Sequence, residues 1–249
     1  MVDRGVDGDA MAQIYHERQR RRCCGLHAVN NLLQLPPQSA GHLTMSEANE
    51  ISTALFIEDC DTLLSNSRGS SSCRCISIRT CCHWVQRVLQ PCLNPYRSAF
   101  PCFAGDYDIQ VLAEALRRRR SEFVGHWVLQ PSEVEQSVGS FVTGLQGFEA
   151  GPAQLEGQLS GLIINRPALL GGRHWYTLLS PGSSSTSKWV CLDSTKTMPE
   201  LIVQDGAEVS TADDVGRYLR QQLATQAWIA RICGRGRAWH IFAVARICE

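Results

Sequence analysis

Apolar spacing changes character once along this chain, and that change limits the fold more than any other feature. Up to residue 120 apolar side chains recur every three or four positions; beyond it they gather into short β-rich runs. Leu26, Val29, Leu32 and Leu33 predict a helix over 24–35, stopped by Pro36 and Pro37. Thr44 followed by Glu47 resembles a capping box ahead of a second helix in which Ile51, Ala54 and Leu55 share a face. A third helix fits 106–120, capped by Asp106 or Asp108, with Ile109, Leu112, Ala113 and Leu116 inward. Arg117 to Arg120 then read as a solvated end at the negative pole of the helix dipole. Residues 122–130, 160–166, 173–180, 188–194 and 239–248 read as strands, with a polar hairpin loop, "PGSSSTS", between the third and fourth. One further helix fits 210–227, with Val215, Tyr218, Leu219 and Leu223 on one side. Helices first and mostly antiparallel strands later indicate an α+β domain, its helical part packed on the sheet.

A length of 249 residues suits one domain with a substantial core, and a hydrophobic share of 44% excludes a disordered chain. Formal net charge is zero with only 19% charged residues, so no nucleic-acid or acidic-substrate partner is implied. Residues 1–13 lack the apolar stretch of a signal peptide and read as a tail. No apolar run is long enough to span a bilayer. Twelve irregularly spaced cysteines without an export signal suit reduced thiols, and hence a cytoplasmic protein, or one shared with the nucleus. The domain is expected over 14–248. Within it, residues 59–90 hold a Ser/Gly- and Cys-rich stretch without a steady period, expected as an ill-ordered insertion.

The chemistry-bearing residues sit on these elements. Cys24 enters the first helix, where the positive end of the dipole favours a thiolate, and Gln19 lies five residues upstream. An amide donor on that approach could reach an oxyanion forming at a substrate carbonyl. His174 opens a strand after two glycines, and Asp193 lies near the end of the next strand. Hairpin pairing of those strands would let the carboxylate orient the imidazole toward sulfur. Taken singly, each has a plainer reading: a small buried thiol, a packed core histidine, a turn-forming acid. His16, His27, His83, His126 and His240 carry that plainer reading too.

The joint pattern goes further. "YHERQ" (15–19) and C-x-x-H-A-x-N-N-L-L-Q (24–34) resemble the opening of the Josephin domain, the catalytic module of ataxin-type and short Josephin deubiquitinases. The resemblance continues through "LNPYRS" (93–98), "GDYDIQVLAEAL" (105–116), "LIINRPALL" (162–170), "RHWYTL" (173–178) and "LDSTKTMPELI" (192–202). It implies a papain-like cysteine peptidase that hydrolyses isopeptide bonds at the ubiquitin C-terminus. By that resemblance Cys24, not Cys23, is the nucleophile, His174 the base, Asp193 its orienting group and Gln19 the oxyanion-side donor. It implies ubiquitin, ubiquitin chains or ubiquitinated proteins as partners, with no cofactor, metal or membrane insertion. Residues 59–90 have no counterpart in the family and fall where it carries a helical hairpin over the cleft. Two other readings stay open: a catalytically weak ubiquitin-binding module with a covered cleft, and a zinc-binding interaction protein. The second would draw on Cys73, Cys75, Cys81, Cys82, His83 and Cys92, although their spacing lacks paired C-x2-C knuckles.

Overall fold

Among the residues that the computed structural model describes (13–19, 23–66, 96, 107–150, 158–168, 173–183, 186–203, 207–233 and 238–247), six strands form one antiparallel sheet. They are β1 (Ser121–Leu129), β2 (Leu159–Pro167), β3 (Arg173–Leu179), β4 (Trp189–Leu192), β5 (Glu200–Ile202) and β6 (Trp239–Arg246). Their spatial order is β1-β6-β2-β3-β4-β5, so the last strand enters between the first and second. The helices are α1 (Cys24–Leu33), α2 (Met45–Asn66), α3 (Ile109–Arg117), α4 (Val134–Ala150) and α5 (Ala212–Cys233). None is long and apolar enough to cross a membrane.

Helices cover both faces of the sheet, which explains why β2 and β3 read as nearly unbroken apolar runs. On one face Leu162, Ile164, Tyr176, Leu178 and Ile241 meet Val138, Phe141 and Leu145 of α4 and Val215, Leu219 and Leu223 of α5. On the other, Ile163, Trp175 and Val244 meet α1, α2 and α3 through Leu26, Val29, Leu32, Ile51 and Leu112. Each such buried side chain contributes about 1.5–3 kcal/mol relative to exposure.

One expectation is narrowed here and others are corrected. In α3 the cap is Asp108, whose carboxylate accepts from the Gln110 N–H at 2.9 Å. Its fully buried positions are Val111, Leu112, Ala115 and Leu116, whereas Ile109 and Ala113 are half-buried, because its neighbours grip it on a slightly turned face. In α2 Ala48, Ile51 and Ser52 are buried and Ala54 is exposed. Arg119 is no solvated helix end. Its Nη2 donates to Glu47 at 2.6 Å and its Nη1 to the Ala115 carbonyl at 2.9 Å, tying α3 to α2. Glu47 is thereby drawn away from closing the capping box, leaving only its N–H on Thr44 Oγ1 at 3.2 Å.

Helix α2 also continues to Asn66, into the stretch expected as an insertion. Within that extension Asp59 accepts a hydrogen bond from Tyr96. The rest of 59–90 lies outside the described residues. Helix α4 and strand β5 escaped the sequence reading. Three glycines lower the helix propensity of "VEQSVGSFVTGLQGFEA", but Val138, Phe141, Val142 and Leu145 repeat on one buried face. Gly144 is there for space: a Cβ would stand 2.7 Å from the Trp127 indole nitrogen.

One glycine governs how α1 seats. Gly161 of β2 has φ +151°, and a Cβ there would lie 2.3 Å from the Leu178 carbonyl oxygen and 2.9 Å from Leu32 of α1. Gly161→Ala should therefore destabilise the protein by on the order of 3 kcal/mol, through backbone strain and displacement of α1. Urea unfolding checks this; a change under about 1 kcal/mol would show that the close approach is unnecessary.

Candidate active site

Helix α1 has apolar residues facing the core, but His27, Asn30, Asn31 and Gln34 recur at i, i+3, i+4 and i+7 on another face. All but Gln34 are buried, so each needs a partner. The extended segment 15–19 supplies them. Asn31 Oδ1 accepts from the Glu17 N–H at 2.6 Å, and Gln34 Oε1 accepts from the Tyr15 N–H at 2.8 Å. Asn30 Nδ2 donates to Glu17 Oε2 at 3.0 Å, and His27 Nδ1 lies 3.2 Å from the same oxygen. Burial pushes the Glu17 carboxyl up, but these two partners outweigh it and hold the group below its usual range. Asn30 also binds Leu43 through both its backbone groups, at 3.1 and 2.8 Å. Gln34 ends the helix in the left-handed region (φ 54°), ahead of the prolines. Cys23 is the N-cap residue of α1 and Cys24 its first helical residue, and both are buried.

The second half of the site is built on β3 and β4. Their register pairs Thr177 with Leu192, which brings the opening of β3 beside the residue just past β4. His174 Nε2 and Asp193 Oδ1 meet at 2.8 Å. A carboxylate only accepts, so Nε2 carries the proton and Nδ1 is left as the basic nitrogen. Tyr176 stacks on the imidazole, with centroids 6.0 Å apart and planes at 17°. Thr195 donates to Asp193 Oδ1 twice, from its N–H at 2.9 Å and its hydroxyl at 2.7 Å. Burial of this carboxyl opposes ionisation, yet His174 and the two Thr195 donors prevail and hold it far below the ordinary carboxylate range.

Three contacts join the halves. Gln19 donates its backbone N–H to the Ser194 carbonyl at 2.7 Å. His16 Nε2 donates to the Asp193 carbonyl at 3.1 Å, and burial moves that imidazole toward the neutral form. Thr177 Oγ1 donates to the Ala28 carbonyl at 2.7 Å, pinning α1 on β3. The first turn of α1 lies over Trp175, the residue after His174: a Cβ on Gly25 would stand 3.6 Å from its ring. Gly25 thus lets the end of α1 that bears Cys24 approach the strand that bears His174.

Sequence reasoning assigned His16 and His27 to the core and passed over Asn30, Asn31, Gln34, Thr195 and Arg166. The polar i, i+3, i+4, i+7 stripe on α1 was a usable signal for four of the residues around the site. Arg166 and Thr195 had none, because their roles come from strand register and a turn. Among the described residues no three His, Cys, Asp or Glu side chains could together hold a metal ion. Cys73, Cys75, Cys81, Cys82, His83 and Cys92 lie outside the described residues.

The Asp193 environment has a consequence for stability. Its folded carboxyl ionises at lower pH than the unfolded one, so its contribution is present above about pH 4 and is lost as pH falls further. The difference in unfolding free energy between wild type and Asp193→Asn should therefore move against the wild type below about pH 4. Chemical denaturation from pH 7 to pH 3 tests this, and a pH-independent difference contradicts it.

Comparison with known proteins agrees with this architecture. The Josephin family profile matches residues 19–221. A Josephin-like protein of Arabidopsis thaliana is 25% identical over 221 residues, covering 87% of this chain and 46% of that protein. A Josephin-like protein of Drosophila melanogaster is 33% identical over 111 residues, covering 45% of this chain and 33% of its own length. The chain thus spans about half the length of the first relative and a third of the second. With a family match across most of the chain and a six-stranded antiparallel sheet flanked by helices, this α+β protein of papain-like architecture belongs to the Josephin family.

Proposed function

We propose that this chain is a deubiquitinating cysteine peptidase in which Cys24, His174 and Asp193 act as a triad and Gln19 assists at the oxyanion. The observation that carries the reading is the buried His174–Asp193 hydrogen bond, set on the strand over which the first turn of α1 packs. His174 Nδ1 accepts the Cys24 proton, and the position in the first helical turn favours negative charge on Sγ. Sulfur attacks the carbonyl carbon of the isopeptide at the ubiquitin C-terminus. The resulting oxyanion is met by the Gln19 side-chain amide and a backbone N–H, that of Cys24. Imidazolium returns its proton to the departing lysine amine as the C–N bond breaks. Water, deprotonated by His174, then hydrolyses the thioester and frees the carboxylate.

Asp193 holds the ring in the tautomer this cycle needs, and Thr195 makes that role tolerant of an amide. Two donors already converge on the Oδ1 position, so an asparagine there would turn its oxygen, not its NH2, toward His174.

Labelling by a ubiquitin probe with a C-terminal electrophile, together with cleavage of ubiquitin chains, tests the reading. Cys24→Ala should abolish both and Cys23→Ala should keep most activity. His174→Ala should fall about a thousandfold or more, whereas Asp193→Asn should stay within about tenfold of wild type. A dead Cys23→Ala beside an active Cys24→Ala would move the nucleophile by one residue. Ubiquitin binding without any probe reaction would favour the binding-module reading instead.

A further inference from the structure

Oδ1 of Asp193 is committed to His174 and Thr195, and its second oxygen has a different neighbour. Arg166 Nη2 stands 3.7 Å from Asp193 Oδ2. That separation exceeds a hydrogen bond, so the contact is one of charge. Strand register makes it repeatable: Arg166 of β2 is the direct partner of His174 on β3, and direct partners share a face of the sheet. The guanidinium carbon also lies 5.7 Å from the centre of the Tyr176 ring, on which His174 stacks. Arg166, Tyr176, His174 and Asp193 therefore form one assembly. The Asp193 side chain is 5% exposed and that of Arg166 29%, so the charges act through a partly dry medium.

A buried carboxylate whose only ionic partner were His174 would favour imidazolium at every stage. The proposed cycle requires the ring to surrender that proton to the leaving amine. We infer that Arg166 is a positioning residue: its cation fixes Asp193 Oδ2 and weakens the carboxylate's hold on a protonated His174, so that the ring can both take and return a proton. This rests on the reading of His174 as the base. The other ionisable groups around the pair are His16 on the approach segment, Cys191 on β4, and Lys196 and Glu200 paired with each other. Burial keeps the Cys191 thiol protonated, pushed up to about 12, and keeps the Tyr176 phenol neutral. Lys196 is the one other cation in this set.

The test separates this proposal from the enzyme reading by using the chain with Cys24→Ala, in which no thiolate forms at position 24. The His174 ring is followed by NMR of histidine labelled at Cε1, assigned with His174→Gln. Arg166→Met keeps an apolar stem over Tyr176 without the charge, and should raise the His174 midpoint by about half a pH unit. Arg166→Lys should restore the parent midpoint to within about a third of that shift. In the active protein the alkaline limb of kcat/KM should move up by the same amount in Arg166→Met. Equal midpoints for parent and Arg166→Met overturn the proposal, as does an equal shift in Arg166→Met and Arg166→Lys. Absence of any ubiquitin cleavage by wild type would defeat the enzyme reading while leaving the titration result to stand.

Discussion

Helix α1 is buried over nine of its ten residues, yet three of those nine are polar side chains of the stripe that ends at Gln34. A buried donor or acceptor left unpaired costs about 1–3 kcal/mol, so the helix cannot enter the core until something satisfies that stripe. The extended segment 15–19 is what does so. Its backbone at Tyr15 and Glu17 and the Glu17 carboxylate take the places that water would otherwise fill. Gln19 and Cys24 thereby become parts of one rigid unit, although neither makes those bonds itself. Preorganisation of this kind is what the proposed roles of Gln19 and Cys24, oxyanion donor and nucleophile, would require of their surroundings.

The remaining half of the site lies at the far end of the sequence. Thr177 and Ala28 are 149 residues apart and His16 and Asp193 are 177 apart, yet both pairs are bonded. Contacts this distant in sequence form late and form together, because loop closure must precede any return from them. A chain with only its helical half or only its sheet would hold no site. The insertion of β6 between β1 and β2 reinforces this, since the sheet that presents His174 closes only when the last strand arrives.

The legible parts of the sequence were those governed by periodicity. Strands β2, β3, β4 and β6 could be placed because apolar runs bounded by Gly, Pro or Ser leave little else, and α1 because its leucines share a face. Helix α4 was lost because Gly139, Gly144 and Gly147 mask a repeat that the fold imposes through Trp127 and the sheet. Arg119 was misread because a charge run at a helix end resembles solvated surface until a neighbouring acid is known to reach it. Of the proposed site, Cys24, His174, Asp193 and Gln19 could be singled out as residue types in a familiar arrangement. The donors around Asp193 could not. Thr195 acts through a turn two residues long, and Arg166 through a strand pairing that depends on which residue of β2 stands opposite His174.

Those two side chains make opposite demands on position 193. Thr195 offers only donors to Oδ1, and a carboxylate or an amide oxygen would answer them equally well. Arg166 lies across from Oδ2, where an amide would present its NH2 to a cation. The hydrogen bonds therefore fix the tautomer of His174 whichever residue is present, and the charge favours aspartate. A full negative charge buried beside the proposed base binds imidazolium more tightly than an amide dipole does, and in our inference the guanidinium moderates that effect. Aspartate and arginine thus form a coupled choice: exchanging the acid for an amide removes the reason for the cation, and losing the cation leaves the acid holding its proton partner too firmly. The carboxyl stays ionised while almost fully enclosed because three hydrogen bonds on Oδ1, one from His174 and two from Thr195, replace the water it gave up.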